Sequence, residues 1–259
     1  MDFITDRNKN PIILGGISGC FFTMVSHPFH VLTTRYNREV IKGIIEPSLQ
    51  NSIAYTVEFL KKQPMKLLRR GITIRTLQGT LTYSFLFFVR DYFNRIFSIE
   101  NQKMKNITVS ASSGYSENII RQPFLILSSA YINKDNLLSR NLWINMVKGY
   151  PLTSLNRSLY FTSSTIGKSV GSDLCNSAKL NHTSSQIISG LFGTAFCIRF
   201  NGFSESYTNA LTSGQNINQC FKAGIKGSRN VLRDLNLVSR ETIFLIPFLF
   251  PISNQYKKD

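Results

Sequence analysis

Acidic residues are scarce in this 259-residue chain: 14 Asp and Glu stand against 30 Lys and Arg, a formal net charge of +16. Charge of either sign is thin as well, at 17% of residues where soluble domains carry about 25%. A surface short of charge points to membrane or to a partner covering it. The positive balance directs the chain towards polyanions, either nucleic acid or anionic lipid headgroups, although no nucleic-acid-binding motif accompanies it. The four cysteines (Cys20, Cys175, Cys197, Cys220) form no C-x-x-C pair and have no histidine at ligand spacing. Neither a metal site nor a disulfide framework is expected, and they read as packing residues. The start, MDFITD, lacks the order of a signal peptide and the Arg/Ser-rich character of a transit peptide, so an organellar address would lie within the mature chain. No nucleophile with a base, carboxylate pair or phosphate loop stands out, and an enzyme is not expected.

Long apolar runs are also missing. The strongest, 11–24 and 80–89, fill only part of the ~20 residues that a bilayer crossing needs. Soluble core helices give so weak a signal, and so do membrane helices with one face on a water-filled cavity.

What is present is a repeat. Arg70-Gly71, Lys148-Gly149 and Lys226-Gly227 have glycines spaced by 78 residues each time, and Lys42-Gly43 is the one further Lys/Arg-Gly pair. Each of the three precedes a helix-compatible stretch: 73–97, 151–170 and 229–250. A second series runs in phase with it. Gly15-x-x-x-Gly19 is followed nine residues later by Pro28, Ser110-x-x-x-Gly114 by Pro123, and Ser189-x-x-x-Gly193 by Gly202. Small residues four apart share a helix face and let two backbones approach, and a breaker at a fixed distance predicts a kink at a common depth. The unit is therefore a small-residue helix with a kink, a connection, Lys/Arg-Gly and a second helix. Three units span 11–100, 104–173 and 183–253 within a single domain of residues 1–259.

GGISGCFFTMVSHPFHVLTTRY and LLRRGITIRTLQGTLTYSFLFFVRDYF resemble the first two helices of the mitochondrial carrier family, and GYPLTSLNRSLYF and AGIKGSRNVLRDL are similar to the starts of its later even-numbered helices. The resemblance implies an all-α membrane protein of the mitochondrial inner membrane, with six tilted transmembrane helices in three pseudo-symmetric repeats. Both termini would face the intermembrane space. It also implies cardiolipin bound at the Lys/Arg-Gly helix starts, where open N–H groups, the helix dipole and a cation suit a phosphate: Arg70, Gly71, Lys148, Gly149, Lys226 and Gly227. The alternative is plain helix capping with solvated charges. No other cofactor is expected.

The chain departs from the family where transport is controlled. Transporting members carry P-x-[DE]-x-x-[KR] at each kink, giving a ring of six charges. Here the three copies begin Pro28-Phe29-His30-Val31-Leu32-Thr33, Pro123-Phe124-Leu125-Ile126-Leu127-Ser128 and Gly202-Phe203-Ser204-Glu205-Ser206-Tyr207. None of the six charges is in register; Glu205 and Arg35 lie one or two positions away. At the other end the residual gate is Asp91, with Asn94 where its basic partner would fall. The connections from kink to glycine are 43, 26 and 25 residues. Repeat one thus has room for a surface helix over 52–62, and repeats two and three are expected to have lost about half of theirs. Arg75, Arg157, Arg233 and Arg240 are possible cavity residues, or else they snorkel or pair with neighbours such as Asp234 and Glu241. His30 reads as a hydrogen-bonded packing residue rather than a proton relay. The expected function is a carrier-like structural accessory subunit of an inner-membrane, respiratory-type complex, with partner subunits and cardiolipin around it. The alternative is a working solute carrier with divergent gates that exchanges a small anionic metabolite.

Overall fold

The computed structural model describes residues 11–46, 48–62, 70–136, 139–180 and 182–228. Among the described residues the regular structure is seven α-helices and no strand: α1 (Pro11–Ile41), α2 (Leu49–Lys62), α3 (Ile72–Ile96), α4 (Gln102–Asn133), α5 (Arg140–Ser177), α6 (His182–Thr212) and α7 (Ile217–Gly227). Five of them run for 25 to 38 residues, which is about 37–57 Å at 1.5 Å per residue. The expected helices over 73–97 and 52–62 correspond to α3 and α2. The third even-numbered stretch, 229–250, lies outside the described residues, and with it Arg233 and Arg240.

Each long helix packs chiefly on its neighbour in the chain, while α1, α4 and α6 also meet one another directly. The small-residue motifs mark the crossings. A Cβ on Gly15 or Gly19 would collide with the α3 backbone at Tyr83 and Gly79, and one on Gly114 would meet Arg157 and Phe161 of α5. At that second crossing the Ser110 and Thr165 hydroxyls are 2.7 Å apart. The third motif departs from the pattern of the first two. Gly193 and Ser189 pack on the preceding helix α5, against Ser164, Lys168, Gly167 and Gly171. The small residues on α5 allow this approach, and it makes the α5–α6 crossing the most extensive in the bundle.

Two expectations are corrected. Of the Lys/Arg-Gly pairs, Gly71 begins a helix, capping α3 in the left-handed region at φ 83°, Gly149 does not, and the stretch after Gly227 lies outside the described residues. Gly149 lies inside α5, which runs through it and through Pro151. Gly149 is needed for space, since a Cβ there would strike the Tyr207 ring and hydroxyl, and Pro151 removes only one N–H from a long ladder. Gly227 ends α7. The shortened connections have also kept their helical content. In repeat three, α7 is an 11-residue helix started by a capping box between Asn216 and Gln219; in repeat two the corresponding turns are fused to the front of α5. What has been shed is linker. Pro28 and Pro123 lie within unbroken helices, as does Gly202.

Polarity is distributed inside out. Buried polar or charged residues outnumber buried hydrophobic ones among the described residues, while Ile13, Ile17, Phe21, Leu77, Phe88, Tyr92, Ile119, Leu155 and Leu174 are among many large apolar side chains left exposed. By length and apolarity alone, one helix among the described residues, Ile12–Ile41, qualifies as a membrane span.

Candidate functional site

Between Lys105 and Lys134 the chain carries two charges, Glu117 and Arg121, and α4 turns both inwards. Arg157 reaches across from α5 and grips Glu117 with two bonds, Nε to Oε2 at 2.6 Å and Nη2 to Oε1 at 3.1 Å. Glu117 is fully buried. The rings of Tyr160 and Phe161 lie 4.5 and 4.4 Å from the Arg157 guanidinium carbon, a cation–π pocket that holds its plane. Arg121 is one helical turn beyond Glu117 and donates to Ser204 Oγ of α6 at 3.1 Å. The charges of Arg157, Glu117, Arg75 and Glu205 all act on it. Arg75 of α3 is buried and donates to Gln78 Oε1. Four helices thus bring three arginines and two glutamates into one interior. Hydroxyls and amides surround them: Asn118 donates to both Thr153 and Ser154. Gln122 Oε1, Ser128 Oγ and the Tyr207 hydroxyl are buried with no protein partner, and water is the usual partner for such atoms.

No protein-family model matches the chain, and no curated protein sequence matches it.

Of the possible cavity residues, Arg75 and Arg157 do face this interior. Glu117 and Arg121 were missed by sequence reasoning. An acid and a base four apart in a stretch with no other charge between Lys105 and Lys134 was the signal that could have found them. The Arg157 partner was beyond reach, because it is 40 residues away.

Further along, α1, α4 and α6 meet one another. The six positions where the resemblance implies charges, His30, Thr33, Leu125, Ser128, Ser204 and Tyr207, are all buried on these helices. Thr33 Oγ1 donates to the Phe29 carbonyl of its own helix. Within the next two turns the helix ends are tied across the bundle. Arg38 makes a two-pronged ion pair with Asp135, both contacts 2.6 Å. Arg35 donates to the Ile132 carbonyl at 3.3 Å, and Asn133 donates to Asn209 at 3.4 Å. Asp91, the expected residual gate, pairs with Arg95 at 2.7 Å on its own helix.

The three Lys/Arg-Gly positions expected to hold lipid differ from one another. His27 Nε2 lies 3.0 Å from the Arg70 carbonyl and anchors the start of α3. The Arg70 guanidinium stands 5.2 Å from the Tyr131 ring centroid of α4. This copy keeps a cation, a left-handed glycine and a helix N-terminus together. Lys148 is exposed on the flank of α5. Lys226 and Gly227 line a cleft of about 240 Å³ between α1, α6 and α7, with Lys222, Gln219 and Asn37. There the described cations come from the end of α7, with the amides of Gln219 and Asn37 beside them. Outside the long helices, α2 docks on α1 through the ring contact Tyr36–Tyr55 and the Ser52 hydroxyl donating to the Tyr36 oxygen, with Phe59 stacked on Tyr55 within α2. Burial, with Glu39 nearby, pushes the Tyr55 hydroxyl up to about 12.

Proposed function

We propose that the chain is a carrier-like integral protein of the mitochondrial inner membrane that has lost its gating networks and serves as a structural accessory subunit of a larger respiratory-type complex. The observation that carries the loss of gating is the convergence of α1, α4 and α6 on six buried positions with no carboxylate or guanidinium among them. A gate must make contacts in one state that it lacks in the other, because only a differential contact biases the two. The membrane assignment is supported by the inside-out polarity: a soluble bundle buries its apolar faces, whereas a bilayer accepts them on the outside and leaves polar groups for a hydrated interior. Cardiolipin is proposed at Arg70-Gly71, and at Lys226 in the cleft beside α7. Blue-native electrophoresis with mass spectrometry tests the subunit role. Migration within a large inner-membrane assembly is expected, and migration alone at its own mass counts against it.

The interior charge cluster favours a second reading, a divergent carrier for a small anion, because three arginines share the space with two glutamates. Liposomes containing the protein decide between them. Exchange of nucleotides, carboxylates or phosphate above empty vesicles, abolished by Arg157→Ala, would reverse the order of the two readings.

A further inference from the structure

We infer that the girdle of Arg35, Arg38, Ile132, Asn133, Asp135 and Asn209 is a permanent closure of one end of the bundle, standing in for the ring of charges at the adjoining convergence. The inference takes its meaning from the carrier-like reading and stands on its own geometry. Three different bonds cross between helices here: a two-pronged ion pair from Arg38 to Asp135, a guanidinium on the Ile132 carbonyl and an amide pair from Asn133 to Asn209. The ion pair is largely covered, with side-chain exposures of 19% and 11%, so salt and water screen it less than a surface pair. Its acid does not sit on a mobile stem. Lys134 closes α4 in the left-handed region at φ 61°, and the Asp135 N–H donates to the Ala130 carbonyl at 2.8 Å, which fixes the carboxylate against the helix end. Arg35 is steadied in turn by the Phe59 ring of α2, 6.0 Å away.

The opposite end has nothing equivalent among the described residues. Asp91 bonds along its own helix, and Lys103 to Asp173 joins the chain neighbours α4 and α5 through an exposed pair. A cycling gate needs two ends of comparable strength that exclude each other. Among the described residues the covered ion pair and the ties from α1 to α4 and from α4 to α6 are at the girdle, so the closed state there is the resting state.

The test is a pair of spin labels at Lys42→Cys and Asn136→Cys in the full chain, with Cys20 changed to alanine and the buried native cysteines retained, measured in lipid nanodiscs. One distance population is expected, unchanged by phosphate, adenine nucleotides or dicarboxylates. Asp135→Asn should add a second, longer population, and Asp135→Glu should not. Should Asp135→Asn fail to fold, Arg38→Gln probes the same pair. Two populations in the parent chain, or a parent-like distribution in both charge-removing variants, overturns the closure. These outcomes are separate from those of the native gel: a chain that migrates alone with one population keeps the girdle, and one that migrates in a complex with two populations loses it.

Discussion

Glu117 is the most committed residue in the molecule, fully buried and held by a single guanidinium on a neighbouring helix. Removing one member of such a pair leaves an uncompensated charge in the interior, and costs of about 3–5 kcal/mol are typical. Arg157→Met and Glu117→Gln should therefore each lower the thermal midpoint in detergent sharply. The double variant should recover most of the loss, since a neutral pair has no buried charge to compensate. A double variant whose loss equals the sum of the two single losses would mean that the two residues are not coupled. Tyr55 offers a test outside the long helices. Its ordinary value is near 10 and the fold raises it to about 12, so the folded chain favours the neutral phenol. The stability this contributes is complete below pH 10 and is lost as pH rises through 12, on the order of 2 kcal/mol for two units. Tyr55→Phe should flatten the alkaline limb of stability between those values, and an unchanged limb would refute the assignment. Glu117 and Arg121 were legible as charges stranded in an apolar helix. The pairing of Glu117 with Arg157, 40 residues on, is set by how α4 and α5 cross.

At the level of helices, the small-residue spacing was readable because it reflects a steric rule: backbones approach only where side chains are absent. Gly19→Leu should disrupt the α1–α3 crossing, since its side chain would press on the Gly79 carbonyl. Overpacking costs of about 1–3 kcal/mol or more are expected. Gly16→Ala meets only the Ser84 hydroxyl and a threonine methyl and should be better tolerated. Comparable thermal midpoints for both variants would contradict the crossing. The Lys/Arg-Gly series was legible as a period and misleading as a set of helix starts. A glycine serves a left-handed cap, as Gly71 does, or a close approach, as Gly149 does beneath Tyr207, and the two look alike in sequence. The connection lengths misled for a related reason. Counting residues measures linker and helix together, and α7 fits its helix into the shorter span by beginning at a tight capping box rather than after a long lead.

For the molecule as a whole, the period of 78 residues and the all-helical class were open to reading, whereas the inside-out core was hidden in segments each of ordinary hydropathy. Under the proposed topology, tags at Met1 and Asp259 should be accessible from the same side of the inner membrane, and the connections carrying Arg70 and Lys226 from the other. Protection of both terminal tags in intact mitoplasts would contradict it. The same distribution bears on biogenesis. Only one described helix has the apolarity to partition into lipid by itself; α4 and α5 would each carry buried charge and amide into hydrocarbon with no partner to meet it. In a bilayer these helices cannot be inserted one after another and assembled later. Glu117 would enter lipid at tolerable cost only with Arg157 already beside it, so the proposed membrane reading requires that α4 and α5 be inserted together as a hairpin. A chain truncated between α4 and α5 should then be extracted and degraded rather than accumulate as a stable fragment.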